Sequence, residues 1–264
     1  MATPHVSVVL PTFNRANTLA AAAQSVLNQS YTDLELLVVD GQSDDHTPEV
    51  LEALSADPRV RIIQAPQRGC AAQRNHGVSL AKGAYVAFQD SDDQWLPGRL
   101  EQTLAALEQE AASPGVSYSD MVFQRVDGRE EILEAPEVKR GRLVNPKTLD
   151  YEVFGLGIQS AIMHRACFEW VGPFDETLPR FIDLDFFIRI ANLFPFRRIP
   201  RVLVRHVEGT GISANHAALA EARKALMHKY ETPLREHRLH WAAQHLLTAQ
   251  ALSYNGDLES ARAY

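Results

Sequence analysis

Over its first 110 residues the chain repeatedly alternates short β-branched runs with Ala- and Leu-rich stretches of helical length. That rhythm is the signature of a mostly parallel sheet with helices packed on its faces. The runs Val6–Leu10, Leu34–Asp40, Val60–Gln64 and Tyr85–Gln89 read as strands. Between and after them, Thr18–Gln29, Thr47–Ser55, Ala71–Leu80 and Arg99–Glu110 read as helices. Thr47 and Pro48 suit a helix start, and Pro97-Gly98 punctuates the entry to the last of the four.

After Pro114-Gly115 the rhythm changes. Val116–Phe123 and Glu131–Leu133 read as strands around an Asp127-Gly128 turn, followed by strands at Ser160–His164 and Arg198–Val207 and a helix at Asp183–Phe194. Residues 136–160 mix charge, Pro and Gly without a period, which predicts a substrate-facing or mobile loop. From Ala214 onward the pattern is helical, with breaks expected near Thr232-Pro233 and Asn255-Gly256. The final stretch, ALSYNGDLESARAY, resembles the turn region of one tetratricopeptide repeat; a single partial repeat cannot bury its own face, so it reads as a helical cap or as the start of a longer array.

Charge narrows the partners. The chain carries 26 Lys plus Arg against 33 Asp plus Glu, a net charge of -7. Residues 1–110 hold 7 basic and 14 acidic side chains, and the remainder holds 19 of each, so the whole imbalance sits in the first part. A general nucleic-acid surface is excluded, because phosphate contacts dominate such binding. Two cysteines, Cys70 and Cys167, are too few for a disulfide framework and suit a reducing cytoplasm. No apolar run is long enough for a membrane span, and the start does not resemble a signal peptide.

In open α/β sheets, ligands bind beyond the carboxyl ends of the strands. Four consecutive strand ends here carry polar residues: Thr12-Phe13-Asn14-Arg15; Asp40 with Gly41-Gln42-Ser43-Asp44-Asp45; Gly69 followed by Arg74 and Asn75; and Asp90-Ser91-Asp92-Asp93. Asp44, Asp45 and Asp93 are equally readable as turn formers. Asp90 and Asp92 at one strand end would repel each other unless neutralised, and a hard divalent cation shared with phosphate oxygens resolves that repulsion.

These segments, VVLPTFNR, LLVVDGQSDDHT, GCAAQRNHG and AKGAYVAFQDSDDQWLPGRL, in this order and spacing, resemble a family 2 glycosyltransferase of the glycosyltransferase A fold. The resemblance resumes at VGPFDE (171–176), at Asp183-Leu184-Asp185 with Arg189, and at Val204-Arg205-His206. It implies an α/β fold: a single Rossmann-like domain over 1–213 with a mixed, mostly parallel sheet, plus a C-terminal helical extension over 214–264. Residues 1–110 would form the nucleotide-binding half and 111–213 the acceptor half.

It further implies that Thr12, Phe13, Asn14 and Arg15 line the nucleoside pocket, Asp40 bonds the base, Arg74 contacts the nucleotide, and Asp90 lies near the ribose. Asp92 would bind Mn2+ or Mg2+ and His206 would reach that metal. Asp183 would be the general base; Trp95 and Asp185 are candidates for the sugar or acceptor. Two departures stand out. Gly41-Gln42 occupies the place of the usual Asp-Gly, which removes a base-recognising carboxylate, and Ile182 replaces the usual Glu before the base.

The implied activity is metal-dependent transfer of a sugar, with inversion, from a UDP-linked donor to a hydroxyl on a glycan, a lipid-linked acceptor or a protein. Cys70 reads as a packed thiol, and the arginines between 189 and 205 mostly as a solvated basic face. Competing readings are a sugar-nucleotide-forming nucleotidyltransferase, disfavoured because Pro11–Arg15 lacks a glycine-rich phosphate loop, and a catalytically silent sugar-nucleotide or glycan-binding module that docks a protein through its C-terminal helices.

Overall fold

The computed structural model describes residues 3–109, 114–209, 216–262 and 264. Strands β1 (Val6–Thr12), β2 (Leu34–Asp40), β3 (Val60–Gln64) and β4 (Tyr85–Phe88) form the parallel half of one sheet ordered β3-β2-β1-β4-β8-β6-β9-β5, with β7 on β6. The remaining strands are β5 (Gln94–Trp95), β6 (Val116–Gln124), β7 (Glu130–Leu133), β8 (Ala161–His164) and β9 (Phe196–Val207). β8 runs antiparallel to both β4 and β6, and β9 runs parallel to β6. Hence β3, β2, β1, β4, β6 and β9 share one direction, against which β8, β7 and β5 run: a mixed, mostly parallel α/β sheet.

Every residue of β1 and β2 is buried, as strands covered on both faces must be. Strand alternation divides them between two cores. Val9, Leu37 and Val39 face one side, with helices α3 (Cys70–Leu80) and α6 (Ile182–Leu193). Val8, Leu10, Leu36 and Val38 face the other, with α1 (Leu19–Leu27) and α4 (Arg99–Glu108). α3 crosses the sheet very closely at Gly77, where an added Cβ would fall 2.4 Å from Val9 Cγ1 and 3.1 Å from Val39 Cγ2.

The amino-terminal edge of the sheet is fastened by a buried acid. Glu35 accepts from Ser7 Oγ at 2.7 Å, from the Lys82 backbone N–H at 2.8 Å and from Arg61 at 2.9 Å. Burial alone would raise the Glu35 pKa, and these three donors outweigh it, so the carboxyl sits below its ordinary range.

Three expectations change. Residues 136–160 are irregular but not loose: Val144, Tyr151, Val153, Leu156 and Ile158 are buried in the main core and anchor the segment. The break expected near Thr232-Pro233 is found but shifted, since Pro233 itself lies inside α8 (Glu231–Arg235), in the first turn, where its missing N–H has no intrahelical partner to lose. The break falls before it, between α7 (His216–Lys229) and α8. The two-residue strand β5 and helix α5 (Ala166–Val171) were not foreseen. The expected helix start at Ala214 and the boundary at 213/214 lie outside the described residues. After them, α7, α8, α9 (Arg238–Tyr254) and α10 (Leu258–Ala261) follow, and Leu226 and Leu234 join the main core.

Candidate active site

The carboxyl ends of β1, β2 and β3 are level, with Thr12 paired to Asp40 and Asp40 to Gln64. The loops after β1 and β2 are laced together. Asn14, in a left-handed conformation (φ 53), donates from Nδ2 to Asp44 at 2.7 Å and accepts from the Asp44 N–H at 2.9 Å. The Arg15 N–H donates to Thr47 Oγ1 at 2.9 Å, and Asp45 accepts the Thr47 N–H at 2.8 Å. Asp44 and Asp45 thus shape the loop, as turn formers do. Asp40, almost fully buried, accepts the Ser43 hydroxyl at 2.5 Å.

Gln73 pins this rim from below, donating from Nε2 to the carbonyls of Thr12 (2.6 Å) and Val39 (2.9 Å). Its amide lies so near Gly41 that a Cβ there would approach it to 2.8 Å, so a larger residue at 41 would push the amide off its two carbonyls. The neighbouring Gln42 takes the left-handed backbone (φ 64) that glycine accepts most readily. The shift of the glycine by one place therefore has two consequences: close approach is satisfied at 41, and strain is accepted at 42. Phe13 stands 37% exposed at the mouth, with the Arg68 guanidinium 4.6 Å from its ring centroid.

The acidic loop between β4 and β5 presents three carboxylates in three environments. Asp90 receives Arg74 at 2.7 Å. Asp93 is completely buried and receives His206 Nδ1 at 2.9 Å, the Val207 N–H at 3.0 Å and Gln159 Nε2 at 2.9 Å. Among the described residues, Asp92 has Arg15 at 3.5 Å and the more distant charge of His206. Burial and the charge of Asp90 push the Asp92 carboxyl above its ordinary pKa, and Arg15 does not cancel them. The repulsion expected among these acids is thus relieved by protein cations at Asp90 and Asp93, and least at Asp92.

Asp183, at the second position of α6, belongs to the same group. It accepts the Leu184 N–H at 2.9 Å and feels the charges of both Arg74 and Asp90. Burial raises its pKa, Arg74 opposing and Asp90 reinforcing. His206 enters from β9, its ring centroid 5.3 Å from that of Phe123. Burial disfavours the imidazolium, but the Asp93 carboxylate prevails, and Asp90 and Asp92 add to it, so its pKa rises. Burial in turn pushes Asp93 up to about 6.

The structure therefore gathers Arg15, Arg74, Asp90, Asp92, Asp183 and His206, with the Thr12–Asn14 and Asp40 loops beside them. It does not bring in Trp95 or Asp185. Trp95 is 3% exposed, packed in the core with the Arg99 guanidinium 3.8 Å from its ring. Asp185 is fully buried, with Arg189 at 3.0 Å, Lys229 at 2.8 Å and the Tyr230 hydroxyl at 2.8 Å. It ties α6 to α7 and α8. Cys70 is a packed thiol, pushed up to about 11 by burial. The expected solvated basic face holds for Arg205, which pairs with Glu130, but not for Arg198 and Arg189, which are largely buried against Asp120 and Asp185.

Among the described residues, no group of three or more His, Cys, Asp or Glu is gathered tightly enough to hold a metal alone. Asp92 and His206, near enough to feel each other's charge, are the carboxylate and imidazole donor types that suit a divalent cation completing its shell with phosphate oxygens and water. Sequence reading missed Asp93, Gln73, Gln159 and Arg68. The only sequence signal for Asp93 is that three acids crowd one four-residue loop, which obliges at least one of them to find a partner elsewhere.

Paired acids and cations at the carboxyl edge of a mostly parallel sheet, on both sides of the first strand, are the plan of a ligand-binding α/β enzyme. The model of Glycosyl transferase family 2 matches residues 7–169, more than half of the chain, and the chain belongs to that family. It is 30% identical over 166 residues to the Escherichia coli UDP-Glc:alpha-D-GlcNAc-diphosphoundecaprenol beta-1,3-glucosyltransferase WfgD, an alignment covering 61% of this chain and 60% of that one. The matched segment spans 18–21% of three other curated relatives and about half, 49–54%, of three more. Its fold is shared with S. aureus TarS 1-349 in complex with UDP-GlcNAc (TM-score 0.65, 20% identity, 94% of this chain and 71% of that one). It is shared also with a Pyrobaculum calidifontis mannosyltransferase in complex with GDP-Man and Mn2+ (TM-score 0.62, 21% identity, 100% and 74%). Among the described residues, no helix is long and apolar enough to cross a membrane.

Proposed function

We propose that this chain is a cytoplasmic, metal-dependent glycosyltransferase that moves a sugar, with inversion, from a UDP-linked donor to a hydroxyl acceptor in polysaccharide, glycolipid or glycoprotein glycan synthesis. Family membership supports sugar transfer, and the activity named for the E. coli relative supports a UDP donor. The mannosyltransferase of like fold, which holds GDP-Man with Mn2+, supports the metal and leaves GDP as the competing nucleotide. The observation that carries the metal reading is the unequal compensation of the acidic loop: the Asp92 carboxyl is raised by burial and Asp90, and among the described residues Arg15, 3.5 Å away, and His206 do not cancel them.

In this reading Phe13, backed by Arg68, lines the nucleoside pocket with Thr12 and Asn14. Asp40 sits at the base end, Asp90 orients the ribose, and Arg15 and Arg74 meet the diphosphate. Asp92 and His206 would hold Mn2+ or Mg2+, which when bound stabilises the charge developing on the departing diphosphate. The acceptor oxygen attacks the anomeric carbon as the bond to the diphosphate breaks, and its proton passes to Asp183. A half-buried carboxylate with a raised pKa is a better base near neutrality than an exposed one, and such a group contributes roughly 10²- to 10⁴-fold. Residues 1–213 would form the transferase domain and 214–264 its helical extension.

A thermal-shift panel of UDP-, GDP- and dTDP-sugars with and without Mn2+ tests the donor and the metal together. The expected result is Mn2+-dependent stabilisation by a UDP-sugar that Asp92→Asn abolishes, with Asp183→Asn sparing binding while cutting transfer. An Asp92→Asn protein with unchanged Mn2+-dependent stabilisation would overturn the metal assignment, and near-normal turnover in Asp183→Asn would remove the base.

A further inference from the structure

Asp93 is the one member of the acidic loop that cannot meet a ligand, because it is wholly buried, yet it has the most demanding set of partners. One oxygen accepts the Val207 N–H at 3.0 Å, the other accepts Gln159 Nε2 at 2.9 Å, and His206 Nδ1 approaches the two at 2.9 and 3.0 Å. A carboxylate with both oxygens already accepting can only accept again, so Nδ1 must carry a proton. In the neutral ring this places the lone pair on Nε2, which has no protein partner among the described residues. Around this contact the arrangement is rigid. Gln89 Nε2 donates to the Asp93 carbonyl at 2.5 Å, and the fully buried Arg99 holds the carbonyls of Gln159 (2.8 Å) and Ala161 (2.9 Å), fixing the residue that donates to Asp93. Phe123 lies against the imidazole.

We propose that Asp93 is a positioning residue: it fixes the His206 imidazole with Nδ1–H inward and the Nε2 lone pair available to a divalent cation shared with Asp92. The proposal rests on the metal reading of the site given above. It differs from a purely structural role, in which Asp93 would tie the acidic loop to β9 whatever the state of Nε2. Gln159 and Arg99 then serve the same end one step further out, through Asp93. Outer partners of ligating histidines that set the tautomer typically change metal affinity by roughly 10- to 100-fold when removed.

A double-mutant cycle on the full chain separates the two roles. Free Mn2+ is measured by electron paramagnetic resonance in the presence of UDP for wild type, Asp93→Asn, His206→Ala and the double variant. The His206 tautomer is read by 15N NMR in wild type and Asp93→Asn. The expected outcome is roughly 10- to 100-fold weaker Mn2+ binding in Asp93→Asn, no further loss once His206 is alanine, and a wild-type ring protonated at Nδ1. An equal loss from Asp93→Asn in both backgrounds overturns the proposal in favour of loop tethering. A wild-type ring carrying its single proton on Nε2 overturns it as well, with no variant required to fold. If wild type and Asp92→Asn take up Mn2+ alike, the metal reading fails separately. The cation then drops out, and the NMR comparison alone decides whether Asp93 orients the ring.

Discussion

Gly77→Ala asks how closely the rim at the carboxyl ends of β1 and β2 depends on the helix beneath it. A methyl at residue 77 would lie 2.4 Å from Val9 Cγ1, 3.2 Å from Val9 Cγ2 and 3.1 Å from Val39 Cγ2. Carbon atoms pack at about 3.5–4.0 Å, so α3 must retreat by about 1 Å or more, since two fully buried β-branched side chains in adjacent strands cannot turn aside. Overpacking of this kind costs about 1–3 kcal/mol, and contact with two strands argues for the upper end. Alanine recovers about 1 kcal/mol of helix propensity over glycine. The net destabilisation is about 2 kcal/mol, or about 4–8 °C in Tm for a chain of this size. The retreat also carries Arg74, one turn away on α3, from its 2.7 Å contact with Asp90, so nucleotide affinity should fall with stability. Calorimetric melting with and without UDP measures both. Val9→Ala should cost less in the Gly77→Ala background than alone, because it removes the clash. Unchanged or raised Tm in Gly77→Ala, or strictly additive effects in the pair, would refute the close-packing argument.

Two further outcomes concern stability. Glu35 has a pKa lowered in the folded chain, so its contribution is fully present above its unfolded value of about 4.3 and is lost as pH falls through the folded value; Glu35→Gln should cost about 1–3 kcal/mol at pH 7, and urea titrations should show the gap to wild type closing below about pH 4, a constant gap refuting the linkage. Gln42→Gly should raise stability by up to about 1 kcal/mol, because it relieves a left-handed backbone that costs a non-glycine residue about 1–2 kcal/mol and gives part of that back in unfolded-state entropy; a lowered urea midpoint would show that the Gln42 side chain matters more than its backbone.

The parallel half of the fold was legible because Val, Ile and Leu runs buried on both faces have no other reading at that length. The segments that were not legible depend on distant partners. β5 is two residues long, and nothing in Gln94-Trp95 marks a strand until Arg205 and Val204 lie beside it. Asp93 looks like Asp44 and Asp45 in sequence, an acid in a polar loop; Asp44 and Asp45 bond mainly within their own rim, while Asp93 takes its partners from Gln159, His206 and Val207. Asp185 sits two residues from Asp183 with the same family signature. One turn-register difference at the start of α6 puts Asp183 by Arg74 and sends Asp185 inward to Lys229 and Tyr230. Trp95 follows the same logic: strand alternation, fixed only by the pairing with β9, turns its ring to the core. Pattern and resemblance locate the loops, and long-range packing decides which side chain in each loop faces the cleft.

The contact between Asp93 and His206 spans 113 residues of chain, which has a consequence for how the protein comes into being. At about 5–20 residues per second of synthesis, the acidic loop leaves the ribosome about 6–23 s before its histidine. Throughout that interval the parallel half has its local βαβ contacts in hand, while the buried aspartate has neither its imidazole nor its Val207 amide. Contacts of such separation close late, after loop entropy has been overcome by the rest of the sheet. The rim laced by Asn14, Asp44 and Thr47 is therefore an early product of folding. The acid–histidine pair at the other end of the cleft is among the last to lock, when β9 slides in beside β6 and β5.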